Sequence, residues 1–118
     1  MNYWPAEVTH LGDCHEPLFD LLETLREPGR KTAWNNYRCR GFTVHHCTNP
    51  WASTGIHSNI SAGLGPMGAA WLTTHILEHW RFTQDREFLE DKFPVLLEAA
   101  QFLLDFMVQG PDGKPTTI

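Results

Sequence analysis

The sequence predicts an all-α fold built from stacked helical hairpins, and three observations carry that expectation. Apolar residues recur at helical spacing in three separate stretches. Polar or Pro/Gly connectors separate these stretches, so the order is helix, connector, helix, repeated. No strand–helix–strand alternation supports a parallel sheet.

Taken in chain order, residues Asn2 to Thr9 are aromatic-rich and read as the tail of a helix. Glu16 to Glu27 follows as an amphipathic helix, with Leu18, Leu21, Leu22 and Leu25 on one face. Pro17 suits its first turn, where the missing N–H would be unbonded anyway. Pro28-Gly29 is expected to break or kink this helix, with Arg30 to Tyr37 continuing as a further helical segment. One short extended segment is expected near residues 42–46, where Phe42, Thr43 and Val44 favour a strand after Gly41. Cys47 to Gly65 keeps no helical period and reads as a long loop, a length usually reserved for function.

Pro66 then opens a long helix, Met67 to Thr83, with Trp71, Leu72, Ile76, Leu77 and Trp80 on more than one face. A helix apolar on several sides is one buried on several sides. Thr83-Gln84-Asp85 is a connector, and Arg86 to Asp91 a short helical turn. Phe93 to Gln109 is the clearest helix, its stripe formed by Phe93, Leu96, Leu97, Ala100, Leu103, Leu104, Met107 and Val108. Gly110-Pro111-Asp112-Gly113 ends it, and Lys114 to Ile118 begins a strand.

Length allows one domain, residues 1–118, with a modest core. Hydrophobic residues make up 42% and charged residues 19%, which places the chain among globular proteins. The net charge is −5 and no basic run tracks a phosphate backbone, so nucleic acid is not an expected partner. No apolar run reaches membrane-spanning length and no signal peptide opens the chain, so no membrane association is expected. Cys14, Cys39 and Cys47 are odd in number and match no zinc spacing. They read as reduced thiols, with a Cys39–Cys47 bridge as the alternative in a secreted protein.

Two constellations invite chemistry. His75-x-x-Glu78-His79 places two imidazoles on one helix face, the spacing of a zinc-binding H-x-x-E-H motif. So short a motif arises often by chance, and histidines bonded to buried neighbours are the favoured reading; no metal or cofactor is expected. The second constellation is His45, His46, Asn49 and Trp51 on the long loop, with Thr48 between them. Imidazoles, a carboxamide and an indole suit a sugar pocket, because hydroxyls need planar polar partners and a sugar's apolar face lies against a ring. The competing reading is an ordinary polar loop. Trp4, Trp34, Trp71 and Trp80 read as core. No catalytic carboxylate pair can be picked out from the pattern.

Seven blocks, in order, resemble glycoside hydrolase family 95. They are Met1-Asn2-Tyr3-Trp4-Pro5-Ala6-Glu7, His15-Glu16-Pro17-Leu18, Arg26-Glu27-Pro28-Gly29-Arg30, Cys39-Arg40-Gly41-Phe42, His45-His46, Pro66-Met67-Gly68-x-Ala70-Trp71-Leu72 and Glu78-His79-Trp80-Arg81-Phe82-Thr83. The resemblance covers nearly the whole chain. It implies part of an (α/α)6 barrel that hydrolyses terminal α-L-fucosyl linkages with inversion, with a fucosylated glycan as partner and no cofactor. In such hydrolysis an acid protonates the departing oxygen while a second group activates water, roughly 6.5–9.5 Å away. The family positions that water with asparagines held by an aspartate. Its asparagine pair precedes the Met-Asn-Tyr-Trp block, and its acid and aspartate lie beyond residue 118, so no catalytic residue is assigned here. The chain is accordingly expected to be too short to work alone.

The family loop reads His-His-Asn-Thr-Asp, whereas Cys47 and Asn49 follow His45-His46 here, and Gly65 stands where a tryptophan is common. These changes weaken a carboxylate contact and an aromatic wall that the family uses; from the loop's residue types, substrate-binding residues are expected at His45, His46, Asn49 and Trp51. An extracellular setting suits a full-length relative. Exposed apolar helix faces are expected to promote self-association. Two rival readings are a catalytically inactive helical interaction module and a zinc hydrolase built on His75 and His79.

Overall fold

A computed structural model describes residues 1–117, for Ala62 the backbone alone. In chain order it places α1 Pro5–Val8, a 3-10 turn Gly12–His15, α2 Glu16–Thr32, a π-helical turn Ala33–Tyr37, α3 Ile60–Gly63, α4 Gly68–Thr83 and α5 Arg86–Phe106. The all-α class is correct. A two-residue antiparallel ladder, β1 Val108–Gln109 with β2 Pro115–Thr116, closes the described chain. It spans the turn at Gly110 to Gly113, and Ile118, the end of the expected strand, lies outside the described residues.

Helix α2 starts where Pro17 predicts and buries Leu18, Phe19, Leu22 and Leu25. Pro28-Gly29 does not break it. The row Leu25, Gly29 and Ala33 is buried at i, i+4 and i+8, so packing continues across the proline. Burial of that row outweighs the one hydrogen bond a mid-helix proline removes. The π-helical turn then ends at Arg38, which takes a left-handed conformation with φ 57°.

Residues 42–46 form no ladder. Instead they thread the core as a strap, with Phe42, Thr43, Val44 and His45 all buried. Burial on both sides removes the alternation an edge strand would show. The strap's backbone is satisfied by helices and loops. Thr43 N–H donates to the Gly29 carbonyl (3.2 Å), His45 N–H to Thr54 (3.3 Å), and Gly68 N–H to Val44 (3.1 Å).

Helices α4 and α5 form a tight hairpin. Gln84 turns the chain at φ 55°, and the Asp85 side chain caps α5 by accepting from Phe88 N–H at 3.1 Å. The expected short turn at Arg86 to Asp91 is the first part of α5, which runs through Pro94 and ends at Phe106, before Gln109. Its stripe also differs from expectation. The buried row is Val95, Ala99 and Phe102, with Leu96 and Leu103 half-buried beside it, while Phe93, Leu97, Ala100 and Leu104 face outward. Arg26 and Arg30 of α2 clasp Glu98 of α5 at 2.6–2.7 Å, and Arg40 clasps Asp105 through Nε, Nη2 and its backbone N–H.

The Cα radius of gyration is 15.0 Å, against about 13.5 Å for a compact domain of this length. Principal extents of 43 × 34 × 22 Å describe a slab. Trp71, Phe82, Phe93 and Leu104 are each more than half exposed.

Candidate functional site

Loop 45–65 is held against the helices by its first residue. His45 is buried, and its Nδ1 donates to the Thr54 carbonyl at 2.8 Å. That bond leaves Nε2 as an acceptor for the Tyr37 hydroxyl at 2.7 Å. Both ring nitrogens are thus satisfied within the protein. Thr54, itself buried, shares a hydrogen bond with Thr32 of α2 at 2.7 Å. Asn49 shapes the loop's tip, its Oδ1 accepting from the N–H groups of Trp51 (3.1 Å) and Ser53 (3.2 Å).

His46 is exposed, and its Nδ1 donates to the Gly63 carbonyl at 3.2 Å. A groove of about 520 Å³ opens beside it, lined by His46, Thr48, Gly65, Met67, Trp71 and Leu72 together with Leu18, Leu21, Val44, His45 and Gly68. At Gly65 an added Cβ would stand 3.7 Å from His46 Cβ, so the groove is open there. Of the four residues expected from sequence, His45 and His46 meet at this groove. Asn49 acts on the loop's own backbone, and Trp51 stands apart, 87% exposed. Trp4, Trp34 and Trp71, expected in the core, are each more than half exposed. Trp71 lies in the first turn of α4.

A second assembly joins residues far apart in sequence. Oε1 of Glu7 accepts from Nδ1 of His15 and from Nδ1 of His79, at 2.7 Å each. On the other side of its ring, His15 Nε2 meets His75 Nδ1 at 2.8 Å. Tyr3 stacks on His15 (centroids 5.5 Å, interplanar 5°), and Phe19 packs on the opposite flank at 4.9 Å. Burial opposes ionisation of Glu7, but the hydrogen bonds from His15 and His79 outweigh it and hold the carboxyl below its usual range. Burial, with the nearby charge of His15, pushes His75 down and favours its neutral form. The histidines of the H-x-x-E-H match therefore bond to buried neighbours. Glu78, the base in a zinc reading, faces Arg81 at 3.5 Å. The ligand atoms of Glu7, His15 and His79 lie within 4.8 Å of one another, so that trio could hold an ion, with a donor set different from the sequence motif's.

Nothing in the periodicity links Glu7 and His15 to His75 and His79. Their sequence separations of 60 and 72 leave no local signal. Cys14, Cys39 and Cys47 are free thiols, with only Cys39 buried.

Residues 1–118 match the family described as the glycosyl hydrolase family 95 catalytic domain. "Alpha-L-fucosidase 2" of Arabidopsis thaliana is 43% identical over 115 residues, covering 96% of this chain and 14% of the relative. "Probable alpha-fucosidase A" of Aspergillus niger is 31% identical over 121 residues, covering 100% of this chain and 15% of the relative. The chain spans about a seventh of the length of these relatives.

Proposed function

This chain belongs to glycosyl hydrolase family 95, and from that premise we propose that it forms one wall of the cleft of an inverting α-L-fucosidase acting on fucosylated glycans. One observation supports the reading within the chain itself: an exposed imidazole, a hydroxyl and an exposed indole meet at one groove. His46 and Thr48 supply hydrogen bonds to sugar hydroxyls, and Trp71 supplies a face for the apolar side of the ring. His45 and Asn49 act by placing His46 and fixing the loop, and Trp51 waits at the loop tip for the remainder of a longer glycan. The chemistry of bond cleavage belongs to residues outside this chain, so the chain alone is inert.

A chimera tests this. The matching 115 residues of the Arabidopsis relative are replaced by this chain, and hydrolysis of an aryl α-L-fucoside is followed. The expected result is turnover whose first-formed sugar is β-L-fucose by NMR, with a raised KM in the His46→Ala version. Early α-L-fucose would mean retention and overturn the mechanism. A folded chimera without turnover would favour a non-catalytic helical module.

A further inference from the structure

A second cleft lies further along α4. Its volume is about 360 Å³, and its lining includes Tyr3, Trp4, Thr74, His75, Glu78 and Arg81. His75 is 8% exposed. Its Nδ1 is engaged by His15, and no hydrogen bond among the described residues engages Nε2. The ring lines the cleft, and Nε2 is the polar atom it has left to offer there.

The protons on the rings restrict what that ligand can be. Ionised Glu7 only accepts, so both imidazoles facing it donate through Nδ1. If His15 carries one proton, its Nε2 accepts from His75 Nδ1–H, and His75 shows a lone pair to the cleft. If His15 carries two, Nε2–H donates to His75 Nδ1, and His75 shows an N–H. A hydroxyl satisfies either state, because it both donates and accepts; a carboxylate or an ammonium satisfies only one. Around the same opening stand the Glu78 carboxylate, the Arg81 guanidinium and the Thr74 hydroxyl, with Tyr3 and Trp4 as flat apolar surfaces. Trp71, Thr74, Glu78 and Arg81 follow i, i+3, i+7 and i+10 spacing, so the cleft continues the helix face on which the groove begins.

We propose that this cleft is a second subsite for a neutral sugar, with His75 Nε2 as the hydroxyl contact and Glu7 and His15 as the residues that hold its ring. The inference rests on the carbohydrate reading above and adds a contact to it.

The test uses the full chain with 15N-labelled histidine side chains, titrated with L-fucose and, separately, with sodium acetate. L-Fucose is expected to move the His75 ring resonances saturably, and acetate to leave them in place. Resonances of His75 that stay fixed in L-fucose, or that move equally in acetate, overturn the subsite. If L-fucose moves His46 alone, the subsite fails while the fucosidase reading stands. A second measurement uses the chimera. His75→Leu is expected to raise KM about three- to tenfold, the range for one neutral hydrogen bond, with kcat held and a smaller rise for His75→Gln. An active, folded His75→Leu chimera with unchanged KM also overturns the subsite. A chimera inert without any substitution at residue 75 counts against the fucosidase reading, and the titration then decides the subsite by itself.

Discussion

Gly29 passes so close to Phe42 that a Cβ at position 29 would lie 2.9 Å from Phe42 Cδ2 and 2.9 Å from the Thr43 carbonyl oxygen. This contact explains why a Pro-Gly pair sits inside a continuous helix. The glycine is there for the crossing of the buried strap over α2, which carries His45 and His46 to the groove. Gly29→Ala is therefore expected to destabilise by about 1–3 kcal/mol, the cost of forcing atoms into a packed core. Urea unfolding should show a lower midpoint with an unchanged slope. A Gly29→Ala variant as stable as the parent would mean that the strap gives way freely.

The same contact marks what sequence reasoning reached and missed. Leu18, Leu22 and Leu25 lie on a single apolar row, so α2 and its buried face were legible. Pro28-Gly29 carries a local break signal, and the reason it fails, Phe42, lies 13 residues on from the glycine. On α5 two neighbouring rows are both apolar, Val95–Ala99–Phe102 and Phe93–Leu97–Leu104. Periodicity finds the helix there but cannot choose which row turns inward. The loop's imidazoles, carboxamide and indole were visible as residue types, but their geometry was not. His45 spends both ring nitrogens on Tyr37 and Thr54, one from the π-helical turn and one from the loop itself. Half of the Glu7 cluster, His75 and His79, showed in the H-x-x-E-H spacing; Glu7 and His15 did not, because they come from separate elements brought to those histidines only by the fold.

Asp105 gives the acid dependence of stability a specific source. Hydrogen bonds from the Arg40 side chain and backbone hold its carboxyl down, from 3.8 to about 2. A depressed folded-state value stabilises at pH above the unfolded value and is lost as pH falls through the folded one. Stability should therefore decline between about pH 4 and pH 2 from this group, and Asp105→Asn should flatten that part of the profile. Thermal unfolding at closely spaced pH values reads it. An unchanged acid slope in the Asp105→Asn variant would assign the loss to other carboxylates, with Glu98 between Arg26 and Arg30 the next to examine.

Glu7 is predicted to matter more than any surface carboxylate. Its side chain is 5% exposed and one oxygen serves two imidazole donors. Glu7→Gln removes the charge, while its amide oxygen can still accept from both rings. Hydrogen bonds to charged groups contribute about 1.5–3 kcal/mol, against about 0.5–1.5 kcal/mol for neutral ones. Loss of roughly 1–3 kcal/mol near neutral pH is expected from that difference. Because the Glu7 carboxyl lies below its usual range, the gap between parent and variant should narrow as pH falls through that lowered value. A gap constant down to strongly acidic pH would show that packing, and not the carboxylate, is responsible.

The last prediction concerns the isolated chain in solution. In a ring of helical hairpins each hairpin covers apolar surface on its neighbours. Here α4 and α5 cover each other along Ile76, Val95 and Ala99, but Phe93, Leu97 and Leu104 of α5 and Trp71 and Phe82 of α4 remain largely exposed. Burying one such side chain fully is worth about 1.5–3 kcal/mol. Several left open forfeit an amount comparable to the whole stability of a small domain, about 5–15 kcal/mol. The chain should therefore show helical circular dichroism, bind dyes that report exposed apolar surface, and self-associate at moderate concentration. The outward row of α5 names the responsible surface. Phe93→Lys with Leu104→Lys should shift size-exclusion profiles toward monomer while leaving helicity intact. The parent chain eluting as a clean monomer that binds no such dye would contradict the prediction.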